Sequence, residues 1–144
     1  MIVVYSITLG TSDEHLSVLE HLGPIRSRVS AIIVTTPQAV ALMDAMKCLS
    51  FARAVDLPVL GLIENMSGYV CPCCGEVSNV FSTGGGEEMA RREGLQFLGR
   101  LPVDTELVNL LDSGEEVLDR YGGTSSAVIF RILAVHVRGH VAVG

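Results

Sequence analysis

The chain has 144 residues, 49% of them hydrophobic and 18% charged, and a formal charge of −6. That balance fits one compact α/β domain with a real core, and ten scattered Lys and Arg residues argue against nucleic acid. No apolar stretch reaches the roughly 18 residues that span a membrane, and Met1-Ile2-Val3-Val4-Tyr5 lacks the basic flank of a secretion signal.

Ile2 to Ile7 is a short β-branched run that predicts a buried strand. Gly10-Thr11-Ser12-Asp13 breaks it and caps a helix to about Leu22, which Gly23-Pro24 ends. Val29 to Val34 predicts a second strand, and Thr35-Thr36-Pro37 opens a long helix to about Ala54, whose Val40, Met43 and Met46 keep helical spacing. Leu57 to Ile63 predicts the third strand. Gly84-Gly85-Gly86 leads into a helix from Glu87 to Glu93, closed by Gly94, with Glu87 and Glu88 suited to capping. Gln96 to Leu101 predicts the fourth strand. Pro102-Val103-Asp104 starts a helix toward Ser113-Gly114, and a last helix covers Thr124 to His136, with Gly139 expected to interrupt any continuation between the two histidines. Strands alternating with helices predict a doubly wound, mostly parallel sheet in a single domain.

The third predicted strand opens onto Asn65-Met66-Ser67-Gly68-Tyr69-Val70-Cys71-Pro72-Cys73-Cys74-Gly75, which holds three of the four cysteines. Their grouping is unlike a secreted disulfide framework and suits a reducing, cytoplasmic compartment. Cys71 and Cys74 form a C-x-x-C pair on a turn set by Pro72 and Gly75. Ordinary turn residues, a thioredoxin-like redox pair and a metal centre are all readings of such a pair. The redox reading expects a helix after the pair, whereas Gly75 to Asn79 reads as loop. A metal centre of four thiolates, zinc or iron–sulfur, would take two ligands from each of two chains, with Cys73 pointing elsewhere. Cys48 falls in the helix 37–54 pattern and reads as a packed core thiol.

The blocks Gly10 to Ser17, Val34 to Val40, Ile63 to Gly75, Phe81 to Met89 and Phe97 to Asp104 together resemble the Mrp/Nbp35 family of P-loop ATPases, which are scaffolds for iron–sulfur cluster assembly. The likeness is strongest to the smaller subunit of the eukaryotic cytosolic pair, in its fungal wording. The resemblance implies that Cys71 and Cys74 are bridging ligands of a labile 4Fe–4S cluster held between two protomers. The partner would be a second copy or a larger sister ATPase, and the recipients apo iron–sulfur proteins. It implies also that Asn65, Pro102 and Asp104 line an adenine pocket, beyond the carboxyl ends of strands where open α/β sheets gather ligands. Asn65 also fits a turn former, and Pro102 with Asp104 a helix start.

The chain departs from the family in its first half. The glycine-rich phosphate loop, which holds ATP and Mg in the complete family member, has no counterpart, and the single lysine, Lys47, lies in a helical pattern without glycine. Ser6-Ile7-Thr8-Leu9 stands where the family carries an Asp-Thr-Pro-Pro run. The expectation is therefore the C-terminal portion of an iron–sulfur scaffold ATPase, without ATP turnover of its own. The alternative is a non-catalytic zinc-bridged dimerisation module.

Overall fold

β-branched and leucine-rich runs pair as parallel strands in a computed structural model that describes residues 3–5, 12–71, 73–74, 76–78, 83–114 and 125–141. Four strands, β1 (Val3–Tyr5), β2 (Ala31–Thr35), β3 (Val59–Glu64) and β6 (Phe97–Arg100), lie side by side in that order. Three crossover helices join them: α1 (Ser12–His21), followed by a 3-10 turn at Gly23–Arg28, α2 (Ala39–Ala54) and α3 (Gly85–Glu93). After β6 come α4 (Thr105–Asp112) and α5 (Ser125–Val141). A two-stranded antiparallel hairpin, β4 (Tyr69–Val70) with β5 (Val77–Ser78), stands apart from the main sheet.

Neighbouring residues of a strand face opposite sides, and the core divides accordingly. Ile33 and Leu62 pack with Ala45 and Leu49 of α2 and Met89 and Ala90 of α3. Ile32, Ile63 and Leu98 pack on the other face with Leu133 of α5. The sheet is therefore doubly wound, as the alternation of elements predicts. Each buried Ile, Leu or Met among them contributes about 1.5–3 kcal/mol relative to exposure. Arg53 ties α2 to α3 through the Glu93 carboxylate at 2.8 Å and the Glu93 carbonyl at 3.0 Å.

Several expectations shift. The apolar stripe Val40, Met43 and Met46 that marks α2 as a helix lies on its outer face, with Val40 69% exposed. The buried face is Ala45, Leu49 and Ala52, with Leu49 flanked by two small alanines. Cys48 is half-buried, and burial, with Asp44 nearby, pushes its thiol up. α5 runs through Gly139 to Val141 instead of stopping there. Gly75 to Asn79 is not simply loop, because Val77 and Ser78 form β5. Ser6 to Thr11, Pro72, Gly75, Asn79 to Ser82 and residues 115–124 lie outside the described residues, as do the side chains of Asp13, Glu14 and His15.

Candidate functional site

The carboxyl edge of the sheet sets the site. Thr35, Glu64 and Arg100 sit in register as the last residues of β2, β3 and β6. Beyond them the segments leaving β3 and β6 continue side by side. Ser67 N–H donates to the Leu101 carbonyl (2.9 Å), Leu101 N–H to the Glu64 carbonyl (2.8 Å) and Val103 N–H to the Gly68 carbonyl (2.7 Å). Tyr69 then bridges Val103 in parallel fashion, and the chain turns into the β4–β5 hairpin.

The cysteines occupy the end of this hairpin. Cys71 N–H donates to the Glu76 carbonyl at 3.0 Å, next to the Val70–Val77 pair, and Cys73 and Cys74 form the turn. Cys71 is half-buried and the other two are exposed; none is in a disulfide. Backbone N–H groups of Cys74 and Cys73 donate to the Cys71 sulfur, followed by the Cys74 thiol and, after the opposing effect of burial, the Cys73 thiol. Together these donors hold the Cys71 thiol below its usual range, because each bond stabilises the thiolate. The Cys71 and Cys74 sulfurs thus share one end of the hairpin. Cys73 also contributes a bond to Cys71. Among the described residues no group of three or more His, Cys, Asp or Glu side chains converges as a metal site.

A second feature is absent from the sequence reading. Glu64 is 0% exposed, the last residue of β3, and its carboxylate accepts four bonds or charges. Ser67 Oγ donates to Oε1 at 2.6 Å, Gly84 N–H to Oε1 at 3.1 Å and Gly86 N–H to Oε2 at 2.5 Å, while Arg100 Nε lies 3.4 Å from Oε1. Burial alone raises this carboxyl; the bonds from Ser67, Gly86 and Gly84 and the attraction of Arg100 outweigh it and hold the group below its usual range. Gly84 is the N-cap of α3 in a left-handed conformation (φ 86°), with no side-chain cap bond. Glu64 therefore caps α3 from the neighbouring strand. Glu87 and Glu88, expected as caps, pair instead with Arg100 and Arg91.

The remaining candidates flank the hairpin's base. Asn65 N–H donates to the Thr35 carbonyl at 2.7 Å, and its Oδ1 accepts from Met66 N–H at 2.9 Å. That bond accompanies a left-handed backbone at Met66 (φ 56°), whose side chain is 48% exposed. Pro102 is half-buried between Leu101 and Val103, on the segment laid against the β3 exit. Asp104 Oδ1 accepts from Leu107 N–H at 3.2 Å, capping α4, and Oδ2 accepts from the buried Ser126 hydroxyl at 2.8 Å, tying α5. The turn-forming and helix-starting alternatives for Asn65 and Asp104 are thus present as bonds, on adjacent segments at the carboxyl edge.

A family model described as "ParA: NUBPL iron-transfer P-loop NTPase" matches residues 4–138. The chain belongs to this family. The cytosolic Fe-S cluster assembly factor CFD1 of Mycosarcoma maydis is 56% identical over 107 residues, which cover 74% of this chain and 29% of that protein. The cytosolic Fe-S cluster assembly factor NUBP2 of Bos taurus is 52% identical over 112 residues, covering 78% of this chain and 41% of that protein. A nucleotide-binding protein of Archaeoglobus fulgidus, solved in complex with ADP, shares 36% identity and a TM-score of 0.52 over 59% of this chain and 35% of its own. The cell division ATPase MinD of Pyrococcus furiosus superposes with a TM-score of 0.59 at 20% identity, over 76% of this chain and 42% of its own, a likeness of fold alone. The chain spans less than half the length of each of these relatives.

The carboxyl edge of the sheet carries two adjoining parts, the cysteine turn and the base flanked by Asn65, Pro102 and Asp104. Glu64 lies where the two meet. A weak signal for it exists in the sequence: a glutamate closes an otherwise apolar run just before a serine at the third position on. Its glycine partners lie twenty and twenty-two residues away, which no local pattern reveals.

Proposed function

We propose that the chain serves in cytoplasmic iron–sulfur cluster assembly, as the C-terminal portion of a scaffold ATPase. In this reading Cys71 and Cys74 hold one side of a labile 4Fe–4S cluster between two protomers, the other side coming from a second copy or a larger sister ATPase. The observation that supports it is the hairpin end, where two sulfurs sit beyond the sheet edge and backbone N–H groups favour the thiolate at Cys71. Thiolates are soft ligands matched to iron–sulfide. Two ligands per chain suit transient holding: a recipient's thiolate replaces Cys71 or Cys74 at iron one bond at a time, a ligand exchange with no net electron transfer.

Asn65, Pro102 and Asp104 would contact the adenine ring of ATP, whose phosphates and Mg belong to the glycine-rich loop of the longer family member. ATP turnover is accordingly a property of that longer protein, and no turnover is expected from these 144 residues alone.

Anaerobic reconstitution with iron and sulfide tests the reading. The wild-type chain should turn brown with thiolate-to-iron absorption. Cys71→Ala and Cys74→Ala should each lose most of it, and Cys73→Ala should keep it. A colourless protein that retains zinc through the same pair would replace the scaffold with a zinc-bridged module, and iron loading indifferent to Cys71→Ala would remove both.

A further inference from the structure

We propose that Glu64 is a positioning residue for the cysteine turn. The stretch from Ser67 to Gly84 carries Cys71, Cys73 and Cys74, and both of its ends are bonded to this one carboxylate: Ser67 at entry (2.6 Å), Gly84 and Gly86 at exit (3.1 and 2.5 Å). A fully buried carboxylate is costly unless its lone pairs are occupied by good donors. Capping α3 requires only the Gly84 and Gly86 bonds. The Ser67 bond is surplus to capping, because Ser67 stands at the entry to the stretch, ahead of the cysteines. Its effect is to close the loop at its base.

The surroundings are shaped for the same purpose. At Gly86 a Cβ would stand 2.9 Å from Oε2 and 3.1 Å from the Glu64 Cβ, so the helix start is cleared for the carboxylate. Arg100, at the end of β6, approaches Oε1 and also pairs with Glu87 in the first turn of α3. Glu64 thus joins the β3 exit, the α3 start and the end of β6 beneath the hairpin. With the base fixed, the direction in which Cys71 and Cys74 project is fixed relative to the sheet.

The test compares the full metal-free chain with Glu64→Gln and with Ser67→Ala, which removes only the entry bond and leaves the α3 cap. Two readouts need no cluster: amide exchange at Cys71, Gly84 and Gly86, and alkylation of Cys71 and Cys74 relative to Cys48. For Ser67→Ala, exchange at Cys71 should rise about tenfold, the order expected from losing one charge-assisted bond. Its Gly84 and Gly86 protection should stay within about twofold, and the alkylation ratio should rise. Glu64→Gln, which loses the charge and one acceptor oxygen, should raise exchange at all three amides, and at Gly84 and Gly86 by more than Ser67→Ala does. The third readout, which rests on the iron–sulfur reading, is the half-life of a reconstituted cluster, expected to fall about tenfold in both variants. Wild-type exchange and alkylation in a folded Ser67→Ala would overturn the proposal, and that variant decides alone if Glu64→Gln does not fold. Failure of the wild-type chain to load iron would count against the assembly reading while the first two readouts still judge Glu64.

Discussion

Glu64 and Asp104 each tie separate elements together, and their substitutions are read by different measurements. In the folded chain the Glu64 carboxyl sits below its ordinary 4.5, so as the pH falls the unfolded chain takes up that proton first. Its contribution to stability is complete above pH 4.5 and is lost progressively as the pH drops through the lower folded value. Urea midpoints measured from pH 7 down to pH 3 should therefore fall more steeply for wild type than for Glu64→Gln; parallel curves would contradict the assignment. Asp104 accepts bonds from two other elements, α4 and α5. Asp104→Ala removes the α4 cap and leaves the Ser126 hydroxyl, 1% exposed, without that partner. The expected loss is about 1–3 kcal/mol in denaturant unfolding at neutral pH. Asp104→Asn, which keeps a capping oxygen, should recover part of it.

At the scale of elements, the triple glycine at the start of α3 has a structural explanation distinct from phosphate binding. Gly84 supplies the left-handed N-cap, and Gly86 admits the Glu64 carboxylate. Gly86→Ala would press its methyl onto Oε2 at 2.9 Å and onto Leu62 Cδ2 at 3.1 Å, neither of which can retreat into open space. A loss of about 1–3 kcal/mol is expected from such overpacking, read as a lower melting temperature with secondary structure retained. The parallel strands were legible because β-branched runs such as Ala31-Ile32-Ile33-Val34 are buried on both faces and need no alternation. The α2 helix was legible from its outer stripe, yet its buried face was not, because Ala45 and Ala52 carry almost no hydrophobic signal. The β4–β5 hairpin escaped for a related reason: two-residue strands are too short to show a period. Cys71 and Cys74 stood out by chemistry alone. The donors that act on Cys71, and the clamp at Glu64, depend on backbone direction and on contacts remote in sequence, which composition does not encode.

For the whole molecule, stoichiometry and charge set the decisive expectation. A four-iron cluster takes about four protein ligands, and in the proposed reading Cys71 with Cys74 would supply two from each chain. Loading should therefore convert single chains into pairs, with about four irons per two chains. Each chain carries a formal −6, so two chains brought edge to edge repel. That repulsion reaches about 30 Å in 0.01 M salt but only about 8 Å at 0.15 M. The loaded pair should accordingly be tighter at 0.15 M than at 0.01 M salt, the reverse of an association driven by opposite charges. Sedimentation of the reconstituted protein at both ionic strengths, with iron counted in each species, measures this directly. Removing the iron with a chelator should return single chains at either salt. Four irons travelling with the mass of one chain would mean that the hairpin end does not need a second molecule to complete its ligands.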